Sequence, residues 1–140
     1  MSALPRFHLA VPVNDIDAAR SFYGGVLGLA EGRSAERWVD WNFYGHQFVT
    51  HLSEVDGGEV ATNPVDGHHV PVPHFGLLLT VEDFHALAKR VRDAGVRFVI
   101  EPYLRFEGQP GEQWTMFFRD PAGNALEFKA FADDSQVFAK

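Results

Sequence analysis

The sequence predicts an α+β fold made of two βαβββ modules, and three observations carry that expectation. A short histidine-led word occurs twice, as His8-Leu9-Ala10-Val11 and as His74-Phe75-Gly76-Leu77. Each word leads through an amphipathic stretch to a glycine, 20 residues on at Gly28 and 21 residues on at Gly95. Each half then continues in short runs of apolar and polar residues that read as strands. A repeat in so short a chain implies two copies of one supersecondary unit, neither able to bury a full core alone. The expectation is a single domain spanning 1–140, with modules over about 5–55 and 72–132 and a linker over about 53–73. The two sheets are expected to join into one curved mixed sheet, with helices on the outer face and a metal-binding cleft inside.

In the first module, residues 6–13 read as a strand with Phe7, Leu9 and Val11 on one face and His8, Ala10 and Pro12 on the other. Asn14 or Asp15 caps a helix whose apolar positions are Ile16, Ala19, Phe22, Tyr23, Val26 and Leu27, and Gly28 ends it. Strands follow around Trp38–Phe43 and Gln47–Leu52. Residues 53–73, with Gly57, Gly58, Pro64, Gly67, Pro71 and Pro73, have linker composition and read as an ordered connection. The second module starts with a strand over Pro73–Thr80, then a helix capped by Thr80 with Phe84, Leu87, Val91 and Ala94 as its apolar stripe. Arg97–Glu101 and Trp114–Arg119 read as strands around a loop at 107–112. Asp120-Pro121-Ala122-Gly123-Asn124 is a turn, and Ala125–Phe131 is the last strand. Val137-Phe138 in the polar tail is expected to dock on the surface.

Composition narrows the function classes. Hydrophobic residues are 46% and charged residues 22% of 140, the balance of a globular protein. A net charge of −7 argues against nucleic acid as a partner, since that needs a basic footprint. No run approaches the roughly 18 apolar residues of a membrane span, and the first residues lack a secretory layout, so the expected location is cytoplasmic. With no cysteine, thiolate metal sites and cysteine nucleophiles are excluded.

Strand parity gathers the chemistry. In the last strand Leu126, Phe128 and Ala130 form the apolar set, which sends Glu127 to the opposite, unhelixed face. The same alternation sends His8, His74 and, from Gln47–Leu52, His51 to that face. Imidazole and carboxylate together suit Fe(II), Mn(II), Ni(II) or Zn(II), and two histidines with one carboxylate leave positions open for a small-molecule substrate. His8, His74 and Glu127 form the expected metal triad. His51 is a fourth ligand, a base beside the metal, or a polar residue of the cleft. His46, His68 and His69 fall in turns or the linker, and His85 on an exposed helix face. Arg105 and Arg119 are either surface ion pairs or partners for a substrate carboxylate.

These segments resemble the vicinal oxygen chelate superfamily, which includes glyoxalase I, bleomycin- and fosfomycin-resistance proteins and extradiol dioxygenases. The resemblance rests on His8-Leu9-Ala10-Val11, Asp17-Ala18-Ala19-Arg20-Ser21-Phe22-Tyr23, Val26-Leu27-Gly28-Leu29, His74-Phe75-Gly76-Leu77 and the run from Phe118 to Glu127. It implies metal ligands at His8, His51, His74 and Glu127, and it is most similar to small extradiol-type dioxygenases. That implies Fe(II) at His8, His74 and Glu127 acting on a vicinal diol or catechol-like molecule, with a homodimer completing the cleft. Where the extradiol enzymes carry a tyrosine ahead of the glutamate, this chain has Phe117. The resemblance also accommodates a four-ligand isomerase of the glyoxalase I type, with Ni(II) or Zn(II), and a metal-free protein that sequesters a drug.

Overall fold

A computed structural model describes residues 4–54 and 61–140. Gly57 and Gly58, two of the glycines that give the connection its linker character, lie outside the described residues. Two compact units emerge, Met1–Gly57 with Asp120–Asn124, and Gly58–Arg119 with Ala125–Lys140. Among the described residues no helix is long and apolar enough to cross a membrane.

In the first unit β1 (His8–Val13), β2 (Ala30–Ala35), β3 (Trp38–Phe43) and β4 (His46–Leu52) form a sheet in the order β1-β4-β3-β2. β1 runs parallel to β4, as a strand separated from its neighbour by a helical crossover must. Asp15 caps the helix by accepting from the Ala18 N–H at 2.9 Å. Only Ile16–Ala19 (α1) is a regular α-helix; Arg20–Val26 continues it as a wider coil, with the Leu27 N–H reaching back five residues to the Phe22 carbonyl. Gly28, at a φ of 72°, ends it in the left-handed region. Beneath the helix lie Val11, Val13, Val39, Trp41, Phe43 and Phe48, with the Tyr23 ring 4.9 Å from that of Phe48. Phe7, expected on this face, is exposed and precedes the strand. β2 was absent from the sequence expectation, because none of its six residues is buried and no alternation marks it.

The turn Asp120–Asn124 belongs to this unit through a buried polar knot. Asp120 Oδ2 accepts from the Tyr23 hydroxyl at 2.7 Å and from the Asn124 amide at 2.8 Å, while Oδ1 accepts the Ala122 and Asn124 N–H groups. The Asn124 amide also donates to the Pro12 carbonyl.

The second unit holds β5 (Ala61–Val65), β6 (His68–Val72), α2 (Val81–Asp93), β7 (Phe98–Arg105), β8 (Gln113–Arg119) and β9 (Ala125–Phe131). Thr80 caps α2 by accepting from the Asp83 N–H, and Gly95 follows its end at a φ of 79°. Phe84, Leu87, Ala88 and Val91 are its buried side; Ala94 is the exposed cap. The β7-β8-β9 sheet offers α2 a face of Met116, Phe118, Leu126, Phe128 and Ala130, all fully buried, with Phe118 and Phe128 stacked at 5.7 Å.

Three expectations are corrected here. Residues 61–72 form a β-hairpin rather than a plain connection: Asp66 and Gly67, at φ of 51° and 78°, make the two-residue turn that hairpins favour. Its Val65 and Val70 pack on Ile100, Phe117 and Tyr103, so the side of this sheet away from α2 is partly covered. The segment expected as a strand over Pro73–Thr80 makes only two isolated bridges to β9, Phe75 with Leu126 and Leu78 with Lys129. Phe138 is 93% exposed and does not dock.

Tyr23→Phe deletes a buried donor and should cost about 1–3 kcal/mol, measured by urea unfolding at pH 7. Burial first, then the charge and hydrogen bond of Asp120, push the Tyr23 hydroxyl well above 10.0. A phenol harder to ionise when folded stabilises below its unfolded pKa, and that stability fades as pH rises beyond it. The wild-type chain should therefore lose stability above about pH 10, and Tyr23→Phe should lose less over the same range.

Candidate functional site

The site grows from the alternation of β9. Leu126 and Phe128 face α2, and Glu127 and Lys129 face the other way, as parity predicts. Register aligns Glu127 with Phe117, and Lys129 with Thr115 and then Tyr103. His74 reaches this face from the bridged segment beside β9. Its Nε2 lies 3.1 Å from Glu127 Oε1, and its ring meets the edge of Phe117 at 5.0 Å. The Thr115 hydroxyl donates to Glu127 Oε2 at 2.5 Å, and Lys129 Nζ stands 4.0 Å from the same oxygen. The Glu127 side chain is only 11% exposed. Gly76 makes the approach possible: a Cβ there would sit 1.5 Å from the Glu127 carbonyl oxygen.

The two nitrogens of His74 have distinct roles. Nδ1 lies 2.7 Å from the Pro71 carbonyl, which can only accept, so Nδ1 carries a hydrogen. Nε2 and Glu127 Oε1 then either share one proton or set a lone pair against a carboxylate. A cation beside both atoms relieves that opposition. A carbonyl on the far nitrogen is also the usual support of a metal-bound histidine. The donor set therefore fits a divalent transition metal.

The structure brings His74 and Glu127 together. His8 is exposed on β1 of the first unit, opposite Gln47. His51 is exposed on β4 opposite Pro12, four residues further along than His8 and so about 13 Å away along parallel strands. Sequence parity placed both on one face correctly but could not see this register, and His51 is not a neighbour of His8. The bridge between Phe75 and Leu126 sets Gly76 beside Glu127, two residues after His74. The matching position in the first unit, beside Ala10 and two residues after His8, is the buried Val49. Among the described residues no three His, Asp or Glu side chains form a ready-made metal group.

A second polar cluster was missed. Asp66, at the hairpin tip, accepts from the Tyr103 hydroxyl at 3.0 Å and from Arg105 Nε at 2.5 Å. The His68 ring lies 5.0 Å from that of Tyr103, so His68 is not merely a solvated linker residue. Arg105's hydrogen bond, as the largest influence, holds Asp66 below 3.8; burial first, then Asp66, raises Tyr103 above 10.0. The only available signal was the Asp66-Gly67 turn pair, which marks a hairpin between Val65 and His68. Of the other histidines, His46 opens β4 and accepts from the Phe7 N–H, and His85 is exposed against Trp114.

Fold and site together define a protein of the Glyoxalase/Bleomycin resistance protein/Dioxygenase superfamily, whose sequence model matches residues 7–128; the chain belongs to it. It is similar to a glyoxalase/bleomycin resistance protein/dioxygenase of Alicyclobacillus acidocaldarius, with 34% identity, a TM-score of 0.79 and 96% of each chain covered. Virulence protein STM3117 of Salmonella typhimurium is 25% identical over 124 residues, covering 89% of this chain and 82% of that protein. The fosfomycin resistance protein FosX of Listeria monocytogenes shares the fold, with a TM-score of 0.65 at 16% identity over 97% and 98% of the two chains. The superfamily contains both enzymes and resistance proteins.

Gly76→Ala should force the His74 segment away from β9 and cost about 3 kcal/mol. Gly25→Ala, whose new methyl meets nothing within 4 Å, should be neutral or slightly stabilising, and thermal unfolding of the two variants compares them.

Proposed function

We propose that this chain is a metal-dependent enzyme of the extradiol dioxygenase type, with His8, His74 and Glu127 as its metal ligands. The observation that carries this reading is His74 itself, pinned through Nδ1 to a carbonyl while Nε2 faces a shielded carboxylate. Register supports three protein ligands rather than four, because the first unit has Val49 where the second has Glu127. A two-histidine, one-carboxylate set is the donor pattern of non-haem iron oxygenases, whereas the isomerase of the glyoxalase I type requires a fourth ligand. Fe(II), when bound, supplies Lewis acidity toward the two oxygens of a catecholate and electron transfer to O₂.

The chain's own residues do the positioning. Thr115 occupies one oxygen of Glu127, leaving the other free to coordinate. Lys129 places positive charge 4.0 Å from the Thr115-bound oxygen of that carboxylate. Phe117 fixes the plane of the His74 ring. A homodimer and a small-molecule substrate belong to the same reading, and light scattering reports the former.

Metal analysis of the purified chain should find one transition metal per chain, near-complete loss in His74→Ala and in Glu127→Gln, and full occupancy in His51→Ala. Thr115→Val should weaken metal affinity by about 10- to 100-fold, the usual effect of removing an outer partner. Oxygen uptake by the iron-loaded chain with a panel of catechols tests the reaction. Activity on a thiohemiacetal with nickel, and none on catechols, would establish the isomerase instead.

A further inference from the structure

We infer that Arg105 and Tyr103 form a carboxylate-recognition site for the substrate, with Asp66 filling it in the ligand-free chain. This inference rests on the catalytic reading for its context, since it names the class of molecule that would reach His74 and Glu127.

Three groups converge on one small anion. The Tyr103 hydroxyl and Arg105 Nε both donate to Asp66 Oδ2, and Arg105 Nη2 lies 3.5 Å from Oδ1. The guanidinium is pre-set for a planar two-oxygen partner: its side chain is only 17% exposed and lies 4.7 Å over the Phe106 ring. Asp66 is held quite differently. It is 40% exposed and occupies the tip of a two-residue turn. The hairpin does not depend on this carboxylate for attachment, because Val65 and Val70 already pack on Ile100, Phe117 and Tyr103. A buried-side cation and phenol thus hold an exchangeable loop carboxylate.

Placement gives the site its use. Tyr103 and Lys129 flank Thr115 in one cross-strand row, and Glu127 faces the same side one step along. Two strand spacings and one same-face step separate Tyr103 from Glu127, about 12 Å between Cα atoms. That spacing sets the scale for a molecule whose oxygen-bearing ring lies at His74 and Glu127 and whose carboxylate reaches the two donors. When such a ligand binds, its carboxylate takes both donors and Asp66 swings into water, so no charge is left buried and unpaired.

The test is a titration of the metal-free full chain with benzoate, following the Arg105 Nε–H resonance by NMR. Benzoate should shift that resonance in the wild-type chain. It should bind roughly tenfold more tightly to Asp66→Ala, where the internal competitor is gone. Arg105→Gln, which lacks that Nε–H and is followed by isothermal titration calorimetry alongside the wild-type chain, should bind benzoate at least about tenfold more weakly. If Asp66→Ala fails to fold, Asp66→Asn keeps the shape without the charge and carries the same expectation. Unchanged or weaker benzoate binding on removing the Asp66 charge overturns the proposal and makes Asp66 a permanent latch. A preference for phenylphosphonate over benzoate overturns the carboxylate assignment. Because no metal is present, the result is independent of whether His74 and Glu127 hold an ion. Metal analysis can fail while benzoate binding succeeds, and the reverse.

Discussion

A neutral imidazole has one nitrogen that donates and one that accepts, and the Pro71 carbonyl decides which is which in His74. Everything distinctive about the site follows from that assignment. The other nitrogen, Nε2, faces a carboxyl oxygen of Glu127, a contact held by a shared proton or by a cation at hand. Two otherwise unremarkable elements maintain it. The hairpin brings the Pro71 carbonyl to one side of the ring, and the bare backbone of Gly76 lets the segment lie against β9 on the other.

Much of this was legible in the chain. Alternation in β9 places Glu127 opposite Leu126 and Phe128, and the repeated histidine word picks out His8 and His74 from seven histidines. Caps at Asp15 and Thr80 and the ends at Gly28 and Gly95 follow from local chemistry that tertiary packing does not override. These signals are short-range: they depend on neighbours a few residues away.

What escaped notice depends on longer-range facts. β2 buries nothing, so it has no apolar pattern and exists through its ladder with β3. The hairpin at 61–72 hides behind Pro64 and Pro71, residues that argue against strands, and its apolar contacts come from the distant Ile100 and Phe117. His51 shares a face with His8, but parity is blind to sliding along the strand, and the parallel register carries it out of reach. The Asp66 cluster joins residues nearly forty positions apart, each an ordinary polar residue when read alone.

Gly76 also bears on how such a fold changes over time. Its main chain touches that of β9 with no side chain between, so the separation of imidazole and acid is set by peptide geometry rather than by jigsaw fit. Neighbouring side chains such as Lys129 can therefore be exchanged without shifting the main chain that carries the two donors. A scaffold of that kind lets ligand preference drift while the imidazole and the carboxylate stay put.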